Sequence, residues 1–378
     1  MPNESLFIGL ISGTSLDGID AALVDLSSDI PRLHTAIHTP YEPLLQQELR
    51  ALSQPGENEI DRLGELDRRI ALAFAESARA LLTKAGVEAS RIAAIGSHGQ
   101  TIRHRPTAKH PFSLQIGDPN TLAEETGITT VGDFRRRDIA AGGEGAPLVP
   151  AFHQAVFQSP ETPRVALNLG GIANITCLPP LNHGSVIGYD TGPANTLLDG
   201  WIRHHGGQAY DNRGEWASQG EINEPLLRSL LADPYFTLAP PKSTGTEYFN
   251  LAWLEPLLPR DSLVPEDVQR TLVELTVCSV ADAIEREGFE RAEILVCGGG
   301  AHNTLLLDRL DQRLPKATIA SSDSLGLDPD WIEAIAFAWL ASRTLSGLSG
   351  NLPSVTGAGR AVPLGAIYPG ALYPNPQP

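Results

Sequence analysis

The sequence predicts two α/β domains, and three glycine turns carry that prediction. Two of the turns join one strand to another, and these strand–turn–strand units lie about half a chain apart. Such repetition is expected when each unit begins a related domain. The third turn joins a strand to a helix in the second half of the chain. A length of 378 residues also exceeds what one domain usually holds.

Composition narrows the class. Hydrophobic residues make up 42% of the chain, enough for packed cores. No run of about 18 apolar residues occurs, so no transmembrane helix is expected. The N-terminus lacks the basic stretch and long apolar core of a secretory signal. Cys177, Cys278 and Cys297 lie far apart in apolar surroundings. They read as reduced core residues of a cytoplasmic protein, not as a zinc site or a disulfide frame. The net charge of -17 disfavours nucleic acid and anionic membrane as partners. A phosphorylated ligand is still compatible, because local amides and a metal ion hold phosphates even on an acidic protein.

In chain order, residues 6–11 form a buried-strand pattern. The turn 12–18, Ser-Gly-Thr-Ser-Leu-Asp-Gly, leads into a second strand at 19–26. The turn lacks the spacing of a Walker-type phosphate loop, and no such loop occurs elsewhere. Residues 63–85 are a helix, with an apolar stripe of Leu63, Leu66, Ile70, Phe74 and Leu81 and a stop at Gly86. A strand at 91–96 delivers Ser97-His98-Gly99-Gln100-Thr101 at its end, small and polar groups of the kind that hydrogen-bond sugars or other polar ligands. A short strand covers 112–118, and Pro119 starts a helix. Arg135, Arg136 and Arg137 form a basic run beside the glycine-rich loop 141–147. Arginine beside flexible glycines suits a carboxylate or phosphate at a domain junction.

The second hairpin pairs 165–169 with 172–176 across Gly170 and Gly171. A bend of this kind exposes backbone N–H groups that cradle phosphate. A strand at 186–189 ends on Asp190, ahead of a helix at 196–201. A carboxylate at a strand end sits where α/β folds gather their chemistry. The alternative reading is a helix-capping Asp. The loop 240–247 is polar and led by prolines, equally a site border or plain surface. A long helix covers 266–287, and a strand at 293–297 runs into Gly298, Gly299 and Gly300. Three glycines there permit close approach of a flat or phosphorylated ligand. Residues 331–340 form an almost wholly apolar helix whose one charged side chain, Glu333, reads as a buried carboxylate facing a cleft or a cation. A last extended segment covers 362–368.

These stretches resemble the sugar kinase and actin superfamily, whose hairpins grip ATP phosphates across a cleft while the third turn packs on adenosine. More closely, SGTSLDGID (12–20), GSHGQT (96–101), LQIGD (114–118), VGDFRRRDIA (131–140), GAPLVPAFH (145–153), LNLGGIAN (167–174), YDTGPAN (189–195), PKSTG (241–245), VCGGG (296–300) and NLPSVTGA (351–358) resemble the anhydro-N-acetylmuramic acid kinase family. The likeness runs in collinear order from near residue 6 to near residue 370. One departure is Ala194, where the family usually has glycine.

The resemblance implies a two-domain actin-like ATPase (ribonuclease H-like) fold with ATP and sugar in the interdomain cleft. The first domain is expected to span 1–138, completed by a segment near 355–378, and the second 139–354. The implied reaction uses ATP and Mg2+ to turn anhydro-N-acetylmuramic acid and one water into N-acetylmuramic acid 6-phosphate and ADP. The bridge leaves no free 6-hydroxyl, so the base is needed at the water, and Asp190 matches the family's catalytic carboxylate. ATP contacts are expected from Gly13, Thr14, Ser15, Leu16, Asp17, Gly18, Ile19, Asp20, Gly170, Gly171, Gly298, Gly299 and Gly300. Asp17 is the candidate metal ligand. Sugar contacts are expected from His98, Gln100, Thr101, Arg135 or a neighbour, and Glu333. A cytoplasmic homodimer is implied.

Overall fold

The computed structural model describes residues 5–13, 15–258 and 263–371. The strands are β1 Leu6–Ser12, β2 Gly18–Asp25, β3 Arg32–Pro40, β4 Ala94–Arg105, β5 Phe112–Ile116, β6 Thr130–Gly132, β7 Arg164–Leu169, β8 Ile172–Leu178, β9 Ile187–Pro193, β10 Glu293–Cys297, β11 Thr318–Ser321 and β12 Ala366–Tyr368. The helices are α1 Pro43–Leu52, α2 Glu59–Ala85, α3 Pro119–Thr126, α4 Phe134–Ala140, α5 Val149–Phe157, α6 Asn195–Gly206, α7 Glu224–Leu231, α8 Leu251–Leu254, α9 Pro265–Arg286, α10 Thr304–Arg313, α11 Ile332–Leu345 and α12 Pro353–Thr356.

The chain divides into two units. One runs to Val156 and resumes at Trp331; the other is Phe157–Asp330. The division thus falls after Val156 rather than after residue 138, and the return begins at Trp331 rather than near 355. The reason is α11, whose backbone lies against β1 and β4 of the first unit.

In the first unit the sheet order is β12-β6-β4-β1-β2-β3, with β5 also on β4. The β1–β2–β3 run is antiparallel, and β4 is parallel to both β1 and β6. Alternation along β1 sends Ile8 and Leu10 to the side where Ile70 and Phe74 of α2 complete a core. Its other face meets α11. Gly9 and Gly96 are paired in register, and a Cβ on either would run into the Ala334 or Phe337 carbonyl of that helix. Two adjacent glycines therefore let helix backbone press on sheet backbone.

The second unit repeats the plan. Its order is β11-β10-β7-β8-β9, with β7–β8–β9 antiparallel and β10 parallel to β7 and β11. Strand for strand this reproduces β6-β4-β1-β2-β3. Leu167, Ile175 and Ile294 turn inward onto Leu198 of α6 and Leu272 and Val280 of α9. Fully burying one such side chain contributes about 1.5–3 kcal/mol.

Two local expectations change, and the arginines gain an element. β4 continues to Arg105, so the polar run 97–101 lies within the strand. Gly99 makes a bulge there at φ +72°, and β5 then pairs with β4, beginning at Gln100↔Ile116. The three arginines lie on α4, which ends at Ala140 just ahead of the glycine-rich loop. Asp190 is interior to β9, because pairing with β8 runs on to Ile172↔Pro193.

Candidate active site

The β1–β2 turn is held from behind. Gly13 carbonyl accepts from Gln100 Nε2 at 3.2 Å, Ser15 carbonyl from Arg50 at 3.2 Å and Leu16 carbonyl from Gln46 Nε2 at 2.7 Å. Asp17 carbonyl accepts the Tyr41 N–H at 3.0 Å. With these carbonyls occupied and the Leu16 N–H donating to Gly13 carbonyl at 3.3 Å, the remaining amides are the groups this turn offers a ligand. Gln100 is fully buried, and its Oε1 accepts from Ser12 Oγ at 2.6 Å. Its amide is thus committed to shaping the turn, not to contacting sugar. Leu16 and Ile19 are core side chains; the Leu16 N–H is taken by Gly13 carbonyl, and Ile19 lies within the β2–β3 pairing. Gly18 is fixed by packing, since a Cβ would strike Thr39 carbonyl and the His38 ring. Asp20 binds His38 Nδ1 at 2.7 Å. Thr14 lies outside the described residues. Asp17 is exposed, with Oδ1 accepting from Ser15 Oγ at 2.6 Å.

Of the three arginines, Arg135 turns inward while Arg136 and Arg137 are exposed. Its Nε and Nη2 donate to His98 Nε2 at 3.1 and 2.9 Å, and Nη1 donates to Gly145 carbonyl at 2.8 Å. Two of its five N–H bonds remain for a ligand. Burial pulls Arg135 down to about 10, against the opposing charges of Glu333 and Asp138, so it stays cationic. Burial and then Arg135 hold His98 well below the ordinary histidine range. The ring is neutral, and since Nε2 accepts, Nδ1 carries the hydrogen. Thr101 Oγ1 accepts from Gln115 Nε2 at 3.2 Å.

Glu333 is exposed in the first turn of α11, where burial was expected. Ala334 and Ala338 are the residues pressed on Gly9. Loss of solvation raises its carboxyl, the Asp20 charge adds to the shift, and Arg135 opposes it. Glu333→Gln should therefore leave Tm near wild type. If the carboxylate holds a sugar hydroxyl, the sugar KM rises while the ATP KM is unchanged. A loss of stability with unchanged constants makes Glu333 structural instead.

In the second unit Asn168, Asn174 and Asp190 are register neighbours across β7, β8 and β9, all half-buried. Thr191 is the extra residue of a bulge between Ala173↔Gly192 and Asn174↔Asp190. The bulge re-aims the strand beside the carboxylate. The loop 240–247 wraps Asp190: Thr244 N–H donates to Oδ2 at 3.0 Å, and Lys242 carbonyl accepts the Asp190 N–H at 3.4 Å. Tyr235 Oη donates to Asp190 carbonyl at 2.7 Å. Burial pushes the Asp190 carboxyl up to about 6; Glu247 adds to the shift, while the Thr244 hydrogen bond and Lys242 oppose it. Burial also lowers Lys242 to about 8. Tyr235, Lys242 and Thr244 were not among the expected site residues; for Lys242 and Thr244 the sequence signals were the polar, proline-led loop and its PKSTG stretch, and Tyr235 had none.

Asp190 does not cap α6. The α6 cap is the hairpin turn itself: Ala194 and Thr196 N–H donate to Gly171 carbonyl, and Asn195 N–H to Gly170 carbonyl, each at 3.0 Å. Ala194 keeps that bond despite replacing the family's usual glycine. The turn carbonyls are again occupied, and the amides are left to a ligand. Among the third set of glycines, Gly298 and Gly300 are explained by packing on Asn168 and Leu169, whereas Gly299 is exposed and open.

Among the described residues no group of three His, Cys, Asp or Glu gathers to hold a metal. None of the described helices is long and apolar enough to cross a membrane. Cys177 and Cys297 are buried and Cys278 half-buried.

A sheet plan used twice, each copy opening on a hairpin whose turn offers amides, is that of the sugar kinase and actin-like fold. A family model described as anhydro-N-acetylmuramic acid kinase matches residues 5–370. Relatives named anhydro-N-acetylmuramic acid kinase include one from Shewanella sediminis, 53% identical over 97% of this chain and 99% of that protein. Another, from Xanthomonas campestris pv. campestris, is 54% identical over 97% of this chain and 98% of its own. The chain belongs to the anhydro-N-acetylmuramic acid kinase family, a family of sugar kinases. Among solved structures it is similar to a ROK family glucokinase from Streptomyces griseus in complex with glucose and AMPPNP, 15% identical, covering 89% of this chain and 99% of that one, TM-score 0.39. It is also similar to the activator of the 2-hydroxyisocaproyl-CoA dehydratase from Clostridium difficile with bound ADPNP, 12% identical over 88% and 92% of the two chains, TM-score 0.44.

Proposed function

We propose that this chain uses ATP to open the 1,6-anhydro ring of anhydro-N-acetylmuramic acid with water and to phosphorylate O6. The products are N-acetylmuramic acid 6-phosphate and ADP, a step in the recycling of cell-wall sugar in the cytoplasm. Family membership supports the substrate. The observation that carries the mechanism is Asp190, whose carboxyl is raised to about 6 and oriented by the Thr244 N–H. A base with that value is largely ionised at neutral pH yet basic enough to accept a proton.

Asp190 takes a proton from water as the water oxygen bonds to C1. The C1–O6 bond breaks, and O6 bonds to the γ-phosphorus as the β–γ bridge bond breaks and ADP leaves. The amides of the turns at 13–18 and 170–171 receive the phosphates, and Arg135 receives the lactyl carboxylate through its two remaining N–H bonds. His98 stays neutral and holds Arg135 in place. Magnesium is commonly bound by one or two carboxylates plus substrate phosphates. The exposed Asp17 would help hold the ion, which when bound neutralises charge on the β- and γ-phosphates.

The test is ADP release with anhydro-N-acetylmuramic acid as sole acceptor, run in isotopically labelled water. One solvent oxygen is expected at C1 of the product. ADP release without label at C1 would instead identify a conventional kinase acting on a free hydroxyl. ATP binding without sugar-stimulated ADP release would identify a nucleotide switch.

A further inference from the structure

Three of the sequence stretches above, 131–140, 145–153 and 351–358, give the chemistry only Arg135, yet they converge on one carboxylate. Asp138, on α4, is fully buried at 0% exposure. Its Oδ1 accepts from Asn351 Nδ2 at 2.7 Å and Thr356 Oγ1 at 2.8 Å, and its Oδ2 accepts from Gly145 N–H at 2.8 Å. All three partners are neutral donors. A carboxylate taken out of water is costly unless its oxygens are hydrogen-bonded, so these donors and the carboxylate require one another.

Gly145 is the link to the site. Its N–H is fixed by Asp138, while its carbonyl takes Arg135 Nη1 at 2.8 Å. Its φ is +76°, and a Cβ there would crowd the Ile139 side chain at 2.9 Å and the Arg135 carbonyl at 3.1 Å. Glu144 N–H donates to Thr356 carbonyl at 2.8 Å, tying the same loop to the C-terminal segment a second time. The residue whose carbonyl holds the guanidinium is thus itself held through its own N–H by Asp138.

We propose that Asp138 is a positioning residue for Arg135, acting through Gly145 to fix the guanidinium for the substrate carboxylate. This rests on the reading of Arg135 given above. Asp138 touches no reacting group itself. Asp138→Asn keeps the shape but puts an N–H donor where three donors converge, leaving one of them unpaired. The sugar KM should rise about 10-fold, with the ATP KM and kcat at saturating sugar within about 3-fold of wild type.

The experiment is a double-mutant cycle with Arg135→Ala, read as sugar KM beside the Tm of each variant. Asp138→Asn should raise the sugar KM in the wild-type background and add less than about 2-fold once Arg135 is gone. An equal factor in both backgrounds overturns the link while leaving the Arg135 reading intact. No effect of Arg135→Ala on the sugar KM overturns that reading and the proposal with it. Thr356→Val, which removes one of the three donors without touching the charge, serves in the same cycle if Asp138→Asn does not fold. A fall in kcat with a parallel rise in both KM values in that variant would make the cluster purely structural and end the proposal.

Discussion

Asp190→Asn is expected to lower kcat by about 10²–10⁴-fold, the usual worth of a general base. The amide keeps the size and can still accept the Thr244 N–H, but it cannot take a proton from water. Binding of ATP and of sugar should change little, because the carboxylate contributes mainly in the transition state. Calorimetric binding of both substrates beside single-turnover rates checks this. A metal-ligand role would instead shift the magnesium dependence. A helix-cap role is already disfavoured, since α6 takes its cap from the carbonyls of Gly170 and Gly171. Near-normal turnover in the Asn variant would end the base assignment.

The same carboxyl predicts a pH profile and a stability signature. Its folded value of about 6 lies above the ordinary aspartate value, so the native state binds the proton more tightly than the unfolded chain does. Below both values the group is neutral in both states and costs nothing. Stability then falls as pH rises through the interval from about 4 to 6 and is level above it. Asp190→Asn removes that loss, so its Tm should exceed wild type at pH 8 and converge toward it near pH 4. The difference at pH 8 should be on the order of 1–3 kcal/mol. In wild type kcat should drop with an apparent pKa near 6 as the base is protonated. A variant that is less stable at pH 8 would mean that the carboxylate is structural.

Much of this was legible in the sequence, for local reasons. The hairpins announce themselves because apolar runs flank a glycine turn, and both β1–β2 and β7–β8 form as expected. The helix stop at Gly86 is a single left-handed residue, readable from its type. What was not legible depends on partners far along the chain. Thr244 meets Asp190 through its backbone N–H, 54 residues away, and a backbone donor leaves no mark in residue type. Asn351 and Thr356 reach Asp138 across 213 and 218 residues. Gln100 looked like a ligand contact because it is polar, and nothing local says that Ser12 and Gly13 consume its amide. Glu333 looked buried because its helix is apolar, yet it is exposed while its neighbour Ala334 is pressed on Gly9.

Valine at Gly171 or Gly13 is the second large effect expected, and here it falls on the nucleotide. Neither glycine is required by the fold. A Cβ at Gly171 would find Thr246 Cγ2 at 3.6 Å and Thr196 Cβ at 3.8 Å, and one at Gly13 would find Ser15 Oγ at 3.5 Å, all ordinary contacts. Neither residue has the positive φ that favours glycine. Gly96 is the contrast, since its Cβ would strike the Phe337 carbonyl and unseat α11. Gly13→Val and Gly171→Val should therefore fold, with Tm close to wild type, while Gly96→Val should not. On the proposed reading, the space those missing side chains leave open is where phosphate approaches the amides. Losing one charge-assisted hydrogen bond to an amide costs about 1.5–3 kcal/mol, so each valine should weaken ATP binding about 10- to 100-fold. The two alanine variants, with less bulk, should fall between valine and wild type. Calorimetric Kd values for a non-hydrolysable ATP analogue, beside the Tm of each variant, decide the matter. Unchanged affinity in a folded Gly171→Val protein would remove the β7–β8 turn from the nucleotide site, and the same result at Gly13 would remove the β1–β2 turn.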